Sequence, residues 1–131
     1  ANSLPVSYDA SAATVTGLQA TFMRSLGVQV TFKTTTESNT QGFYVARSFS
    51  PNGPFVRVSP LIAAKGEANS YSYMDATRAL VLRGGKVYYR IDVVSRDGKA
   101  NSFGPVLVDI PGANNRVPLK PAANSRFATQ R

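Results

Sequence analysis

Seven carboxylates are the side chains best suited to acid–base chemistry here: Asp9, Glu37, Glu67, Asp75, Asp92, Asp97 and Asp109. A glycosidase-type reaction needs two of them converging across a cleft. All but Asp92 fall in loops, turns or element ends, where carboxylates sit solvated or cap a helix. Nothing in their spacing marks a pair. The chain has no histidine and no cysteine. That removes the commonest general base, the commonest transition-metal ligand, thiolate nucleophiles, cysteine metal sites and disulfides. Serines are plentiful, but no Gly-x-Ser-x-Gly elbow presents one as a nucleophile. Gly84-Gly85-Lys86 lacks the upstream glycine and the following Ser or Thr of a phosphate-binding loop, and reads as a turn before a strand. Asp97 with Asn101 is too sparse for calcium. The expectation is a non-enzymatic protein with no catalytic, cofactor-binding or metal-ligating residues.

Cations are the more prominent chemistry. Fifteen basic residues against seven acidic ones leave a net charge of +8. Half of that surplus lies in residues 111–131, where Arg116, Lys120, Arg126 and Arg131 stand beside no acid. A basic tail on a basic domain suits an acidic partner, whether an anionic glycan, a nucleic acid or a neighbouring assembly subunit. Arg47, Arg57, Arg90 and Arg96 could share a surface with Tyr44 and Tyr88, an alternation suited to stacking and backbone contact. The plainer reading makes them outward strand residues whose stems cover exposed tyrosines. Tyr44, Tyr71, Tyr73 and Tyr88 are candidates for stacking on a sugar. Tyr71 and Tyr73 share one face of one strand, as a platform or as a buried pair.

The elements that position these groups are short and evenly spaced. At 43% hydrophobic, the 131 residues suffice for one folded domain. Val15–Phe22 alternates well enough for an edge strand. Val28, Val30 and Phe32 share a face, with Gln29, Thr31 and Lys33 opposite, which is the period of a half-buried strand. Thr34 to Gln41 is polar loop, and residues 42–48 form the next strand. Ser50-Pro-Asn-Gly-Pro54 is a turn, because proline presets φ and Asn-Gly tolerates φ > 0. Strands follow over 55–58 and 70–74, with loop over 63–68. Asp75 to Ala79 is expected as one helical turn capped by Asp75. Val87, Tyr89, Ile91 and Val93 face one way in the longest strand. Asp97-Gly98 then turns the chain back into the strand over 102–110. Seven strands with almost no helix indicate an antiparallel sandwich.

Several stretches in this order resemble the bacterial form of the fibronectin type III domain. They are Thr34-Thr-Thr-Glu-Ser-Asn-Thr-Gln-Gly-Phe-Tyr-Val-Ala-Arg-Ser48, Ser50-Pro-Asn-Gly-Pro-Phe55, Tyr71-Ser-Tyr-Met-Asp75 and Tyr88-Tyr-Arg-Ile-Asp-Val-Val-Ser-Arg-Asp-Gly98. Gly104-Pro-Val106 follows them, and the lead-in Leu4-Pro-Val6 is similar to the segment before such domains. The resemblance covers residues 15–110 and implies an all-β, immunoglobulin-like sandwich. It implies a core tryptophan where Phe32 stands. It also implies a tyrosine corner at Tyr89, with the hydroxyl bonded to backbone near Leu82 to Gly84. No Arg-Gly-Asp sequence is present, so integrin-type adhesion does not carry over.

The domain reading is therefore an extended arm over 1–14, the sandwich over 15–110 and a basic extended arm over 111–131. Leu4, Val6, Val117, Leu119 and Phe127 are spaced apolar anchors with which such arms could dock on a neighbour. The expected function is that of a self-assembling subunit of an extracellular filament or surface layer, joined through arms and sheet edges. The alternatives are a binding module for an anionic glycan or nucleic acid, using Arg47, Arg57, Arg90, Arg96, Arg116, Lys120 and Arg126, or a virion decoration or tail protein. No apolar run approaches the roughly 20 residues of a bilayer span. The chain starts at Ala1, for which a removed leader or a trimmed chain would each account. The expected location is extracellular or at the cell surface.

Overall fold

A computed structural model describes residues 12–24 and 26–111. The proposed arm anchors lie outside them, in residues 1–11 and 112–131. The strands are β1 (Val15–Met23), β2 (Gly27–Thr34), β3 (Thr40–Ser48), β4 (Val56–Arg57), β5 (Ile62–Ala63), β6 (Ser70–Asp75), β7 (Gly85–Ser95) and β8 (Ala100–Ile110), with one short helix, α1 (Arg78–Arg83). One sheet has the order β1-β2-β6 and the other β4-β3-β7-β8, with β5 also on β3; every pairing is antiparallel. The chain is an antiparallel β-sandwich, as the periodicity predicts.

The two sheets meet along the alternating faces. Val28, Val30 and Phe32 on β2 are buried, as are Val87, Tyr89, Ile91 and Val93 on β7. Phe43 and Val45 on β3 lie opposite Val93 and Ile91, so one continuous row of side chains faces the other sheet. An aromatic trio fills the centre. Phe32 stacks on Tyr71 at 5.1 Å and meets Phe43 edge-on at 5.4 Å, while Phe43 and Tyr71 are 4.8 Å apart. Phe32 and Tyr71 come from one sheet and Phe43 from the other. Three rings thus occupy the centre of the core, where the family resemblance places one tryptophan.

Turn chemistry sets the connections. Gly98 (φ 89°) donates its N–H to the Ser95 carbonyl at 3.0 Å, closing the β7–β8 hairpin. Gly27 (φ 128°) must be glycine, because a Cβ there would lie 2.2 Å from the Asp75 carbonyl oxygen. Two expectations are corrected. The helix starts at Arg78 after Thr77, not at Asp75. Asp75 completes β6, and its carboxylate turns inward instead of capping. The Tyr89 hydroxyl also bonds no backbone near Leu82 to Gly84; it donates to Asp75 Oδ2 at 2.6 Å. β5 escapes the periodicity because two residues cannot show any.

The strand directions fix the two ends of the sandwich. Ala13 donates its N–H to Thr40 Oγ1 at 2.9 Å, beside the β7–β8 hairpin. Ile110 pairs with Gly85 at the opposite end, next to α1. Truncating the core ring, Phe32→Ala, is expected to lower the unfolding free energy by about 3–5 kcal/mol in urea titration.

Candidate interaction face

Three of the carboxylates are buried: Glu37, Asp75 and Asp92 are only 2%, 2% and 3% exposed. This corrects the reading of Glu37 and Asp75 as solvated or capping groups. Each buried acid has its own partners, and none of these contacts joins two acids. Asp75 accepts Arg47 Nη1 at 2.6 Å, the Tyr89 hydroxyl at 2.6 Å and Thr77 Oγ1 at 2.9 Å. Arg47 and Tyr89 stand opposite one another on β3 and β7, so this carboxylate ties β6 to the other sheet.

At the other end Glu37 accepts Thr34 Oγ1 at 2.7 Å, the Gly66 amide at 2.9 Å and the Tyr71 hydroxyl. Burial alone raises the Glu37 pKa, but hydrogen bonds from Thr34, Tyr71 and the Gly66 and Lys65 amides outweigh it and hold it below the ordinary glutamate value. Burial and the bond to Glu37 push the Tyr71 phenol up to about 12. Burial and Asp75 likewise raise Tyr89 well above its ordinary range. The core tyrosines therefore stay protonated donors to fixed carboxylates. Tyr71 is a buried core ring, not a sugar platform, and the Tyr73 hydroxyl donates to the Val58 carbonyl at 3.0 Å.

The third acid organises the outer face of the five-stranded sheet. Asp92 lies opposite Tyr44 and Ser102 in register, and Arg57 and Arg90 flank Ala46 one row away. Asp92 Oδ2 accepts Arg57 Nε at 3.1 Å; Oδ1 accepts Arg90 Nε at 2.9 Å and Ser102 Oγ at 2.8 Å. Each guanidinium also covers a ring, Arg57 on Tyr44 at 4.2 Å and Arg90 on Phe55 at 4.5 Å. Two cations and two aromatic rings thus close over one carboxylate. Tyr88 and the exposed Leu107 pair across β7 and β8 on the same face.

The structure brings together Arg57, Arg90 and Tyr44 from the sequence-derived set and adds Phe55, expected to open the strand over 55–58 and lying just before β4. It places Arg47 apart, at the end of the sandwich, where its guanidinium and that of Arg83 lie over Phe49 at 5.9 and 3.9 Å. Arg96 sits exposed in the β7–β8 hairpin. Arg116, Lys120 and Arg126, with Leu4, Val6, Val117, Leu119 and Phe127, lie outside the described residues. At the hairpin end a shallow cleft runs between residues 12–14 and Asp97, Lys99 and Asn101. The Asp97 carboxylate there accepts the Ser95 hydroxyl, which lowers its pKa. Among the described residues no three acidic, histidine or cysteine side chains cluster as metal ligands. No described helix is long and apolar enough to cross a membrane.

No protein-family model and no curated protein sequence matches this chain. Among solved structures it is similar to a Fn3-like protein from Clostridium thermocellum, with a TM-score of 0.51 and 20% identity over 79% of this chain and 96% of that one. At this identity the likeness concerns the fold, which is a fibronectin type III-like sandwich.

The buried acids and Tyr71 lead to three stability predictions. Asp75→Ala leaves Arg47 and the Tyr89 hydroxyl without their acceptor and is expected to cost about 3–5 kcal/mol in urea unfolding. The Glu37 contribution is complete above the ordinary glutamate value of about 4.3 and is lost as pH falls through its lower folded value. The stability gap between wild type and Glu37→Gln should therefore narrow on acidification below about pH 4. Tyr71 has the opposite sign: its contribution is complete below about pH 10. It is lost as pH rises towards the folded value of about 12, so Tyr71→Phe should flatten part of the alkaline limb. A gap that stays constant with pH would show that these groups titrate as they do in the unfolded chain.

Proposed function

On this fibronectin type III-like scaffold we propose a non-enzymatic structural protein, a self-assembling subunit of an extracellular filament or surface layer. The observation that carries the reading is the position of the two chain exits. Residues 1–11 join the sandwich at the hairpin end, and residues 112–131 follow β8 at the opposite end. Contacts made through such exits are heterologous, and they build a filament where the rotation from copy to copy does not close a ring. Leu4, Val6, Val117, Leu119 and Phe127 supply the apolar anchors within those segments.

The ends and edges of the sandwich support this reading. Leu26 in the β1–β2 turn, Phe49 after β3 and Leu82 in α1 are all exposed at the end where β8 finishes. Three large apolar side chains on three separate connections there suit a contact surface. The edges differ in their openness to a further strand. β8 carries Pro105 in mid-strand, where its register with β7 shifts, and proline has no N–H to offer. β1 carries an irregularity between Thr16 and Gln19. Among the described residues β6 pairs with β2 alone, and it runs Ser70-Tyr-Ser-Tyr-Met-Asp75 without interruption, the edge best suited to accept a strand. The commitment of each buried carboxylate to structural partners supports the non-enzymatic part of the reading.

A second reading has its own observation. The Arg57–Arg90 pair on the outer face favours a binding module for an anionic polymer, with the basic residues Arg116, Lys120 and Arg126 adding charge. A virion decoration or tail role would use the same contacts as the filament on another scaffold. Deletion of residues 113–131 should leave a folded monomer and abolish assembly, followed by electron microscopy and light scattering. Normal polymerisation of the truncated chain would refute the arm mechanism.

A further inference from the structure

We infer that Arg57 and Arg90 form a preorganised site for the sulfate or carboxylate groups of an acidic polysaccharide, on the outer face of the five-stranded sheet. This rests on the anionic-polymer reading and names both its ligand class and its residues.

The pair is built for an outside anion, not for its own carboxylate alone. Asp92 takes one Nε–H from each guanidinium, at 3.1 and 2.9 Å. The terminal amino groups, which make the parallel two-point contact with a carboxylate or sulfate, are not the ones Asp92 takes. The Asp92 side chain is only 4% exposed, against 45% for Arg57 and 31% for Arg90. Solvent and ligand therefore meet two cations, with the neutralising charge underneath.

Rigidity separates this pair from ordinary surface arginines. Each guanidinium is held at its Nε by Asp92 and on its flat face by a ring, Tyr44 or Phe55. Most of the side-chain freedom that an anion would otherwise freeze is already lost. Ser102 donates to the same carboxylate at 2.8 Å, so the anchor itself is fixed.

The same geometry selects among polyanions. Proteins that hold single-stranded nucleic acid stack bases on open aromatic faces. Here the faces of Tyr44 and Phe55 are covered by the guanidiniums. A sheet face also presents no helix or ribbon to enter a duplex groove. Beside the pair, Tyr88 and Leu107 form an apolar ledge on which a sugar ring can lie. Anionic groups on the cations and a sugar ring on the ledge describe an acidic polysaccharide.

The test uses the full chain with a sulfated dextran, a polygalacturonate of matched length and an oligothymidine, titrated by calorimetry at low and moderate salt. Arg57→Lys with Arg90→Lys keeps both charges and removes the flat forks and stacking. This double variant should bind at least one polysaccharide tenfold or more weakly while still unfolding cooperatively as a folded domain. Loss with dextran alone identifies sulfate as the group bound; loss with polygalacturonate alone identifies carboxylate. Wild-type affinity in the folded double variant overturns the site and leaves the anionic-polymer reading to the basic residues of 112–131. No binding of any polyanion by wild type removes both. Oligothymidine bound as tightly as the polysaccharides, with the same loss, overturns the polysaccharide assignment. Should the double variant unfold, the Arg57 and Arg90 Nε–H resonances of wild type decide: they must shift on adding polysaccharide, and shifts confined elsewhere overturn the site.

Discussion

A carboxylate buried between two sheets cannot be left unpaired, and Asp75 is where this structure meets that constraint. The chain has no cysteine, so no disulfide ties one sheet to the other. Asp75 ends β6, while its two strongest partners, Arg47 and Tyr89, lie on β3 and β7. An isolated buried charge costs far more than the domain can spare, so the three groups must come together or not at all. Their meeting fixes how far β6 can run before the chain turns into α1. It also brings the Asp75 carbonyl so close to Gly27 that no side chain fits at the β1–β2 turn. One ionic contact thus sets the register of both sheets at this end.

Glu37 imposes a matching constraint at the other end, by different means. Its partners are hydroxyls and a backbone amide instead of a cation, and they belong to the end of β2, the loop before β6 and β6 itself. Tyr71 links this polar cluster to the core, since its ring stacks on Phe32 while its hydroxyl meets Glu37. A buried polar network of this kind, with every member satisfied, rigidifies a core and specifies its arrangement. We regard the two clusters as the reason a core of small β-branched residues and three central rings settles in one register.

Strand positions were legible because their signal is local. Period-two burial located the strands over 28–33 and 87–94, and Asp97-Gly98 located the hairpin between β7 and β8. Burial of Phe32 was legible for the same reason. The carboxylate clusters were not, because turn and alternation rules send polar residues outward and cannot see a partner on another strand. Tyr89 shows the difference: its burial follows from periodicity, but its acceptor lies across the sandwich and replaces the expected backbone bond. On the outer face, Arg57, Arg90 and Tyr44 could be named from residue type. Their organisation around Asp92, and the part played by Phe55, depend on which strands adjoin, which no single stretch of sequence encodes.

The outer face carries its charge differently from the basic end of the chain. Arg116, Lys120, Arg126 and Arg131 follow one another along 111–131 with no acid among them. Arg57 and Arg90 instead share Asp92, so neither can be lost without stripping a buried carboxylate of a donor. Removing Asp92 would in turn release both guanidiniums from their fixed positions. The positive surface of this sheet is thus a consequence of the fold, present whenever the strands are in register. A partner that recognises the twin arginines would therefore recognise only the folded sandwich. That requirement follows from the placement of one aspartate, the acid that faces out of the sandwich where Glu37 and Asp75 face in.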